Sequence, residues 1–319
     1  STVEGKAGAI VLATGATPYD GSKLEHLGYG SNDKVITSME FEEMAAAGKL
    51  GKVNSVAFIQ CAGSRDKDHL PYCSNHCCMT SLKQAKYVRE LNDDNKAYIF
   101  YKDMRTLGLY EGFYRNAQDD AGIFLTKGDV TSIEAAGKGV AVEVDNTLLG
   151  EKIQVDVDLV VLAVGMVPST KTGTDFDNTL LLPAVVEDDD KDKKEDGEEE
   201  SIRPPATSLH LEYRQGPELP NLEYGFPDSH FICVPYETRR TGIYAAGSVR
   251  RPGDMAEAKQ DGSGAALKAI QCVEMISRGE ALHPRSGDQS YLTIDLGRCT
   301  QCKRCTDECP FGALNEDEK

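Results

Sequence analysis

The sequence VNSVAFIQ at residues 53–60 is rich in apolar and β-branched residues and has the length of a buried strand. Residues 79–91 follow with apolar positions at helical spacing, and residues 97–101 (AYIFY) form a second apolar run. A strand, a helix and a strand in this order predict a βαβ unit, in which the two strands are parallel.

The residues after this unit extend it into a domain of the nucleotide-binding type. Residues 109–120 have a helical pattern, and residues 158–164 (DLVVLAV) form another buried strand that returns to the parallel sheet. Between them, short alternating runs predict a small antiparallel meander. Its strands are expected near residues 123–126, 129–134, 139–144 and 152–155.

Composition limits the possible partners. The chain has 319 residues and a net charge of −17, of which −7 comes from the ten acids and three lysines at residues 187–200. We expect this segment to be a disordered surface loop. Such a charge argues against nucleic acid or an anionic lipid surface as the main partner. No run approaches the roughly 18 apolar residues that span a membrane, so no direct membrane insertion is expected.

The start of the chain indicates a fragment. It lacks an initiator Met and a signal peptide, and it enters a strand pattern almost at once, at residues 9–12. We therefore expect the polypeptide to extend upstream. Eight of the ten cysteines fall into two groups, which in a chain without a secretory signal indicates metal or redox ligands in a reducing compartment.

The first cysteine group is unusual in its position. Cys61 follows the strand at residues 53–60, and three more cysteines precede the helix at residues 79–91. The carboxyl ends of parallel strands form the ligand-binding edge of such a sheet, yet no G-x-G-x-x-G phosphate turn is present here. We expect these thiols to hold a [4Fe–4S] cluster; a vicinal disulfide or buried thiols that only pack are the alternatives. The predicted ligands are Cys61, Cys73, Cys77 and Cys78.

The second cysteine group has the spacing of bacterial ferredoxins, C-x2-C-x2-C-x3-C-P, and predicts a ferredoxin-like segment at residues 286–319. A zinc site is the alternative, but such sites usually pair two C-x2-C units across a longer gap. Either one cluster takes all four ligands or the polypeptide continues to a second run, and we favour the second. The predicted ligands are Cys299, Cys302, Cys305 and Cys309.

Two motifs indicate a flavin site. AIVLATG (residues 9–15) and GIYAAGS (residues 242–248) each place a small residue and a glycine after a buried strand, where the backbone can approach a cofactor. The long helix predicted at residues 256–278 would direct its N-terminus toward the flavin. The motif that binds the pyrophosphate is expected upstream. The candidate cofactor-binding residues are Ala13, Thr14, Gly15, Gly165, Ala246, Gly247, Ser248 and Asp254.

These patterns predict an α/β flavoprotein with two dinucleotide-binding domains of the thioredoxin-reductase type, truncated at its N-terminus, with a ferredoxin-like C-terminal segment. The predicted divisions are an end of the FAD domain (1–50), a cysteine-bearing domain resembling an NAD domain (51–170), an irregular insertion (171–230), a return to the FAD domain (231–285) and the ferredoxin-like segment (286–319).

The sequence resembles the family of heterodisulfide reductase A subunits. The shared stretches are FIQCAGSRD (58–66), YCSNHCC (72–78), SLKQA (81–85) and VVLAVGMVPS (160–169). Residues 211–247 and the C-terminal cysteine run look closer still to the B subunits of the quinone-interacting membrane-bound oxidoreductase complexes of sulfate reducers. In the family, the matching cysteines hold a cluster near FAD.

The resemblance implies FAD and [4Fe–4S] clusters as cofactors. It also implies partners: the other subunits of a membrane-associated redox complex, and adenylylsulfate reductase. The function implied is cytoplasmic electron relay between that reductase and a quinone-reactive subunit in the membrane. A heterodisulfide reductase subunit proper, an NAD(P)H-dependent disulfide reductase and a structural adaptor are the alternatives. No NAD(P)H binding is expected, and no catalytic residue is assigned.

Overall fold

A computed structural model describes residues 5–171, 223–230, 234–238 and 240–279, together with residues 300, 302 and 304. The chain divides into two units, Ser1–Ile270 and Gln271–Lys319, and every sheet described below lies in the first unit. The acidic segment at residues 187–200 lies outside the described residues.

A sheet of seven strands forms the centre of the first unit, in the order β3-β9-β4-β5-β6-β7-β8. Adjacent strands are parallel from β3 to β6 and antiparallel from β6 to β8. These strands are β3 (Val35–Thr37), β4 (Ser55–Ala62), β5 (Lys96–Tyr101), β6 (Ile123–Ala136), β7 (Gly139–Asn146), β8 (Glu151–Val157) and β9 (Leu159–Val164).

Both faces of this sheet are covered, which explains why its central strands are apolar throughout. In β4, Val56 and Phe58 pack against the helices, whereas Ala57 and Ile59 pack on the opposite face. The helices are α1 (Ser38–Ala46), α2 (Cys77–Leu91) and α3 (Glu111–Gln118). The meander strand β7 contributes Val140 and further valines to the opposite face, so the core lies on both sides of the parallel strands.

Two smaller sheets complete the described fold. Four strands pair in the order β1-β13-β12-β11, with β1 parallel to β13. Two more, β2 and β10, pair antiparallel where the chain passes between this sheet and the large one. Their bounds are β1 (Ile10–Leu12), β2 (Ala16–Pro18), β10 (Met166–Pro168), β11 (Asp228–His230), β12 (Val234–Thr238) and β13 (Ile243–Ala245). The long helix α4 is Met255–Arg278.

The predicted fold class is confirmed, and two details differ. The division predicted at residue 50 is too late, since β3 and α1 already belong to the seven-stranded sheet, where β3 pairs with β9. The meander has three strands rather than four, because β6 is one strand of 14 residues with a bulge between Val130 and Ser132. Among the described residues, none of the helices combines the length and the hydropathy of a membrane-spanning segment.

Candidate functional site

Four cysteines meet where β4 ends and α2 begins. Cys61 lies near the end of β4, and Cys73 lies in the loop that follows. Cys77 and Cys78 are the first two residues of α2, and both are buried. Burial raises the pKa of Cys77 and Cys78, and negative charge on Cys61 or Cys73 raises it further. The structure therefore brings the four predicted ligands together.

A β-bulge determines where Cys61 points. Ile59 pairs with Leu162 and Ala62 pairs with Val164, so β4 has one residue more than β9 across this interval. Cys61 takes up the irregularity with a φ of 56°, in the left-handed region that a non-glycine residue rarely adopts. Arg65 and Asn75, in the same loop, also have positive φ values of 55° and 63°. Such strain is concentrated at functional sites, where the surrounding structure maintains it.

The first turn of α2 favours negative charge. His76 precedes the helix and makes no side-chain capping hydrogen bond, so no side chain competes for the first N–H groups of the helix. Cys77 and Cys78 lie in this turn, where the helix dipole stabilises a thiolate. Burial is nevertheless the larger effect and raises the pKa of Cys61, Cys77 and Cys78. Without a bound cation these thiols are protonated at neutral pH, and a metal would displace their protons.

The thiols make only weak hydrogen bonds. Cys77 Sγ donates to the carbonyl oxygen of Val164 at 3.5 Å, and Cys78 Sγ donates to that of Asp103 at 3.8 Å. The Asn75 N–H donates to Cys73 Sγ at 3.4 Å. Four soft sulfur ligands with few competing contacts suit iron–sulfur chemistry. The donor set therefore fits the cluster predicted from the sequence.

A single metal ion fits the described residues less well. Among them, no group of three or more His, Cys, Asp or Glu side chains has the arrangement that one ion needs. A [4Fe–4S] cluster binds each thiolate through a different iron atom, so its ligands stand farther apart than those of one zinc ion. The cluster at Cys61, Cys73, Cys77 and Cys78 stays a prediction.

Gly165 supports the cysteine loop. A Cβ atom at Gly165 would lie 2.3 Å from Ser64 Oγ and 2.6 Å from Ser74 Oγ. Ser74 Oγ accepts a hydrogen bond from the Met166 N–H at 2.9 Å, and Tyr72 Oη donates to the Met166 carbonyl oxygen at 2.7 Å. The loop is therefore fastened to β10 directly beside Gly165. The cofactor role of Gly165 stays a prediction from the sequence, and the structure shows its close packing against the loop.

Two cavities border the first turns of α2. A cavity of about 310 Å³ has Ala16, Gly165 and Met166 in its wall, and another of about 450 Å³ has Gly253 and Asp254 in its wall. These volumes fall in the range of small-molecule sites. Two of the candidate cofactor residues, Gly165 and Asp254, thus face space next to the cysteine group. Three residues at the start of α2 line both cavities: His76, Thr80 and Lys83.

The two flavin motifs lie side by side. Ile10 pairs with Ile243 and Leu12 pairs with Ala245, so Ala13–Gly15 and Ala246–Ser248 leave adjacent parallel strands at the same edge. Gly15 and Gly247 have φ values of 78° and 72°. These conformations suit glycine and keep the backbone at both turns open to a ligand.

Charged residues near Cys61 escaped the sequence analysis. Arg65 Nη2 donates to Asp103 Oδ2 at 2.8 Å. Burial raises the pKa of Cys61, and the positive charges of Arg65 and Lys102 act against it. Nothing in the sequence linked positions 65 and 103. Arg65 follows β4 and Asp103 follows β5, and the pairing of these two strands brings the residues close. In the second cysteine group, only Cys302 lies within the described residues, and it is exposed.

Comparison with known proteins supports the C-terminal cysteine group. Residues 292–315 match the family model of the 4Fe-4S binding domain, which confirms the predicted ferredoxin-like segment. The chain is 32% identical to the second iron-sulfur A subunit of the CoB–CoM heterodisulfide reductase of Methanopyrus kandleri, covering 99% of this chain and 44% of that protein. It is 31% identical to the A subunit of the H(2):CoB-CoM heterodisulfide,ferredoxin reductase of Methanothermobacter thermautotrophicus, over 99% and 43%.

The solved structures that are similar to this chain include two thioredoxin reductases. That of Lactococcus lactis is 17% identical, with a TM-score of 0.46, over 83% of this chain and 66% of that one. That of T. acidophilum is 18% identical, with a TM-score of 0.42, over 84% of this chain and 66% of that one.

The curated relatives match along nearly the whole chain, which spans less than half of their length. The chain therefore belongs to the family of heterodisulfide reductase A subunits.

Proposed function

We propose that this chain is part of an electron-transfer oxidoreductase subunit that carries FAD and [4Fe–4S] clusters. The observation that carries the proposal is the group of four cysteines at the end of β4, beside two cavities whose walls include the candidate cofactor residues Gly165 and Asp254. Cys61, Cys73, Cys77 and Cys78 would hold one cluster, and the C-terminal run would hold a ferredoxin-type cluster. The flavin, when bound, exchanges electrons singly or in pairs, and each cluster carries single electrons.

The protein's own residues would bind and shield these groups. The glycine turns at Gly15 and Gly247 let the backbone approach a flavin, and Gly165 and Asp254 contribute to the cavity walls. The buried first turn of α2 keeps water from two of the four sulfurs. A site with little water favours electron transfer over loss of electrons to solvent reactions.

The specific role that we propose is relay between adenylylsulfate reductase and a quinone-reactive membrane subunit. Its support is the resemblance of residues 211–247 to the B subunits of the quinone-interacting complexes. The protein would then be cytoplasmic and held at the membrane by partner subunits. The second candidate is electron transfer within a heterodisulfide reductase complex, which the names of the curated relatives favour. The subunits that copurify with the native protein distinguish the two.

Iron analysis of cysteine variants tests the internal site. The anaerobically reconstituted chain is compared with Cys61→Ala and Cys302→Ala variants, and with Cys272→Ala, which removes a cysteine outside both groups. We expect the Cys61 and Cys302 variants each to lose about four iron atoms per chain, from different clusters. The Cys272 variant should keep the full iron content. Full iron in the Cys61 variant would contradict the internal cluster.

A further inference from the structure

The guanidinium of Arg65 is held in place beside the cysteine group. Its Nη2 donates to Asp103 Oδ2 at 2.8 Å, and its backbone N–H donates to the Tyr72 carbonyl oxygen at 3.1 Å. About a quarter of the side chain is exposed, at 26%. Nη1 is buried and forms no hydrogen bond within the described part of the chain. An inward-facing donor that remains unused is costly unless a ligand group accepts from it.

Cys61 Sγ is the candidate acceptor for this donor. The guanidinium of Arg65 acts electrostatically on the Cys61 thiol. A guanidinium is always protonated in proteins, and that of Arg65 is paired with Asp103 at 2.8 Å. A permanent positive charge therefore stands against one of the four sulfur ligands.

The carboxylate of Asp103 partly neutralises the positive charge of Arg65. Its carboxylate accepts from Arg65 and also from Lys127 Nζ, at 3.3 Å. Its carbonyl oxygen accepts the weak hydrogen bond from Cys78 Sγ at 3.8 Å. The pair thus connects Arg65, which acts on Cys61, with Asp103, whose backbone contacts Cys78.

We propose that Arg65 is a positioning residue that raises the reduction potential of the cluster at Cys61, Cys73, Cys77 and Cys78, and that Asp103 partly offsets this effect. Reduction adds one electron to the cluster and transfers no proton. A nearby positive charge stabilises the reduced form more than the oxidised form, and a hydrogen bond to a ligand sulfur acts in the same direction. The inference rests on the cluster of the proposed function.

A purely structural role for the ion pair predicts something different. If Arg65 and Asp103 only fastened the loop, loss of either would weaken the same contact and change the site in the same way. If they set the potential, loss of Arg65 lowers the potential and loss of Asp103 raises it, because the two residues have opposite charges. The signs of the two shifts therefore separate the explanations.

The experiment is a redox titration of the reconstituted full chain, followed by electron paramagnetic resonance. The signal of the internal cluster is the one that Cys61→Ala removes and Cys302→Ala leaves. We expect Arg65→Gln to change the ratio of reduced to oxidised cluster at a fixed potential by about tenfold, which is a shift of about −59 mV for one electron. Arg65→Lys should retain part of the effect, and Asp103→Asn should shift the potential upward.

Lys152→Gln is the control for charge alone. Lys152 lies on β8, and its Nζ pairs with Glu143 Oε1 at 2.8 Å, outside the loop that carries the cysteines. If the cluster stayed intact and its potential were unchanged in Arg65→Gln and in Asp103→Asn, this inference would be overturned and the proposed function would stand. Should Arg65→Gln lose the cluster, shifts of the same sign in Arg65→Lys and Asp103→Asn would overturn it. Absence of the internal signal from the unmodified chain would instead overturn the proposed function.

Discussion

At the scale of single residues, Gly165 shows how closely the loop of the cysteine group is packed. A methyl group at this position would lie within 2.6 Å of Ser64 Oγ, Leu70 Cδ1 and Ser74 Oγ. Ser74 Oγ cannot move away without losing its hydrogen bonds to Ser64 and to the Met166 N–H. We expect Gly165→Ala to lower the free energy of unfolding by about 1–3 kcal/mol and to reduce the iron bound at the loop. Urea unfolding and iron analysis measure the two effects.

Gly51→Ala is the matched control for this substitution. Gly51 is exposed, has no heavy atom within 4 Å of the added Cβ position and has no positive φ. Its substitution should leave the free energy of unfolding unchanged or raise it by about 0.4–1 kcal/mol. Equal stability losses in the two variants would show that Gly165 is not needed for the packing of the loop.

The cysteine ligands could be predicted from sequence, but the residues around them could not. Three cysteines within six positions, at 73, 77 and 78, are a signal that needs no structure. The contact of Arg65 with Asp103 joins positions 38 apart, and the spacing of charges along the chain gives no sign of it. Gly165 follows a strand in the sequence, which indicates a turn but not the side chains that fill the space beside it.

At the scale of secondary structure, α2 connects the site with the core. The helix carries Cys77 and Cys78 in its first turn and packs Leu82, Ala85 and Val88 against the sheet. Leu82 is fully buried, so we expect Leu82→Ala to lower the free energy of unfolding by about 2–5 kcal/mol. Chemical unfolding followed by circular dichroism provides the measurement.

Leu91→Ala, on the same helix, makes the same chemical change at an exposed position. Leu91 is 50% exposed, so the expected change in the free energy of unfolding is at most about 0.5 kcal/mol. Similar losses for Leu82 and Leu91 would mean that α2 does not pack on the sheet as described.

Long apolar elements were predictable and short or irregular ones were not. The strands β4, β5 and β9 and the helix α2 agree with the sequence predictions to within about two residues, as burial on both faces requires. β3 has only three residues, too few to show a period. The bulge before Ala62 also lacked a signal, because backbone pairing with β9 creates it.

At the scale of the whole molecule, the ligand-binding edge of the large sheet determines which cofactors can enter. In a pyridine-nucleotide domain this edge presents a glycine-rich turn at a helix N-terminus. Here the bulged strand end at Cys61 and the buried Cys77 occupy that place. We expect no saturable binding of NADH or NADPH below about 1 mM by titration calorimetry.

Adenosine diphosphate is the control in this titration, because it tests for a simple phosphate site without the nicotinamide. A submillimolar dissociation constant for NADH would contradict the prediction. If adenosine diphosphate did not bind in the same range, the result would also favour the disulfide reductase alternative. Circular dichroism of the titrated sample verifies that the protein is folded.

The strand β6 belongs both to the parallel sheet and to the meander, which limits how the two can be exchanged between proteins. Its first five residues pair with β5 in the parallel sheet, and its residues from Gly128 onward pair with β7 in the meander. The boundary between the two arrangements thus falls inside one strand and not in a loop. Recombination that exchanged only the meander would have to cut a strand at its middle and break pairing on both sides. We therefore expect a chimaera that exchanges only the meander to fold less well than one that exchanges the parallel sheet and the meander together.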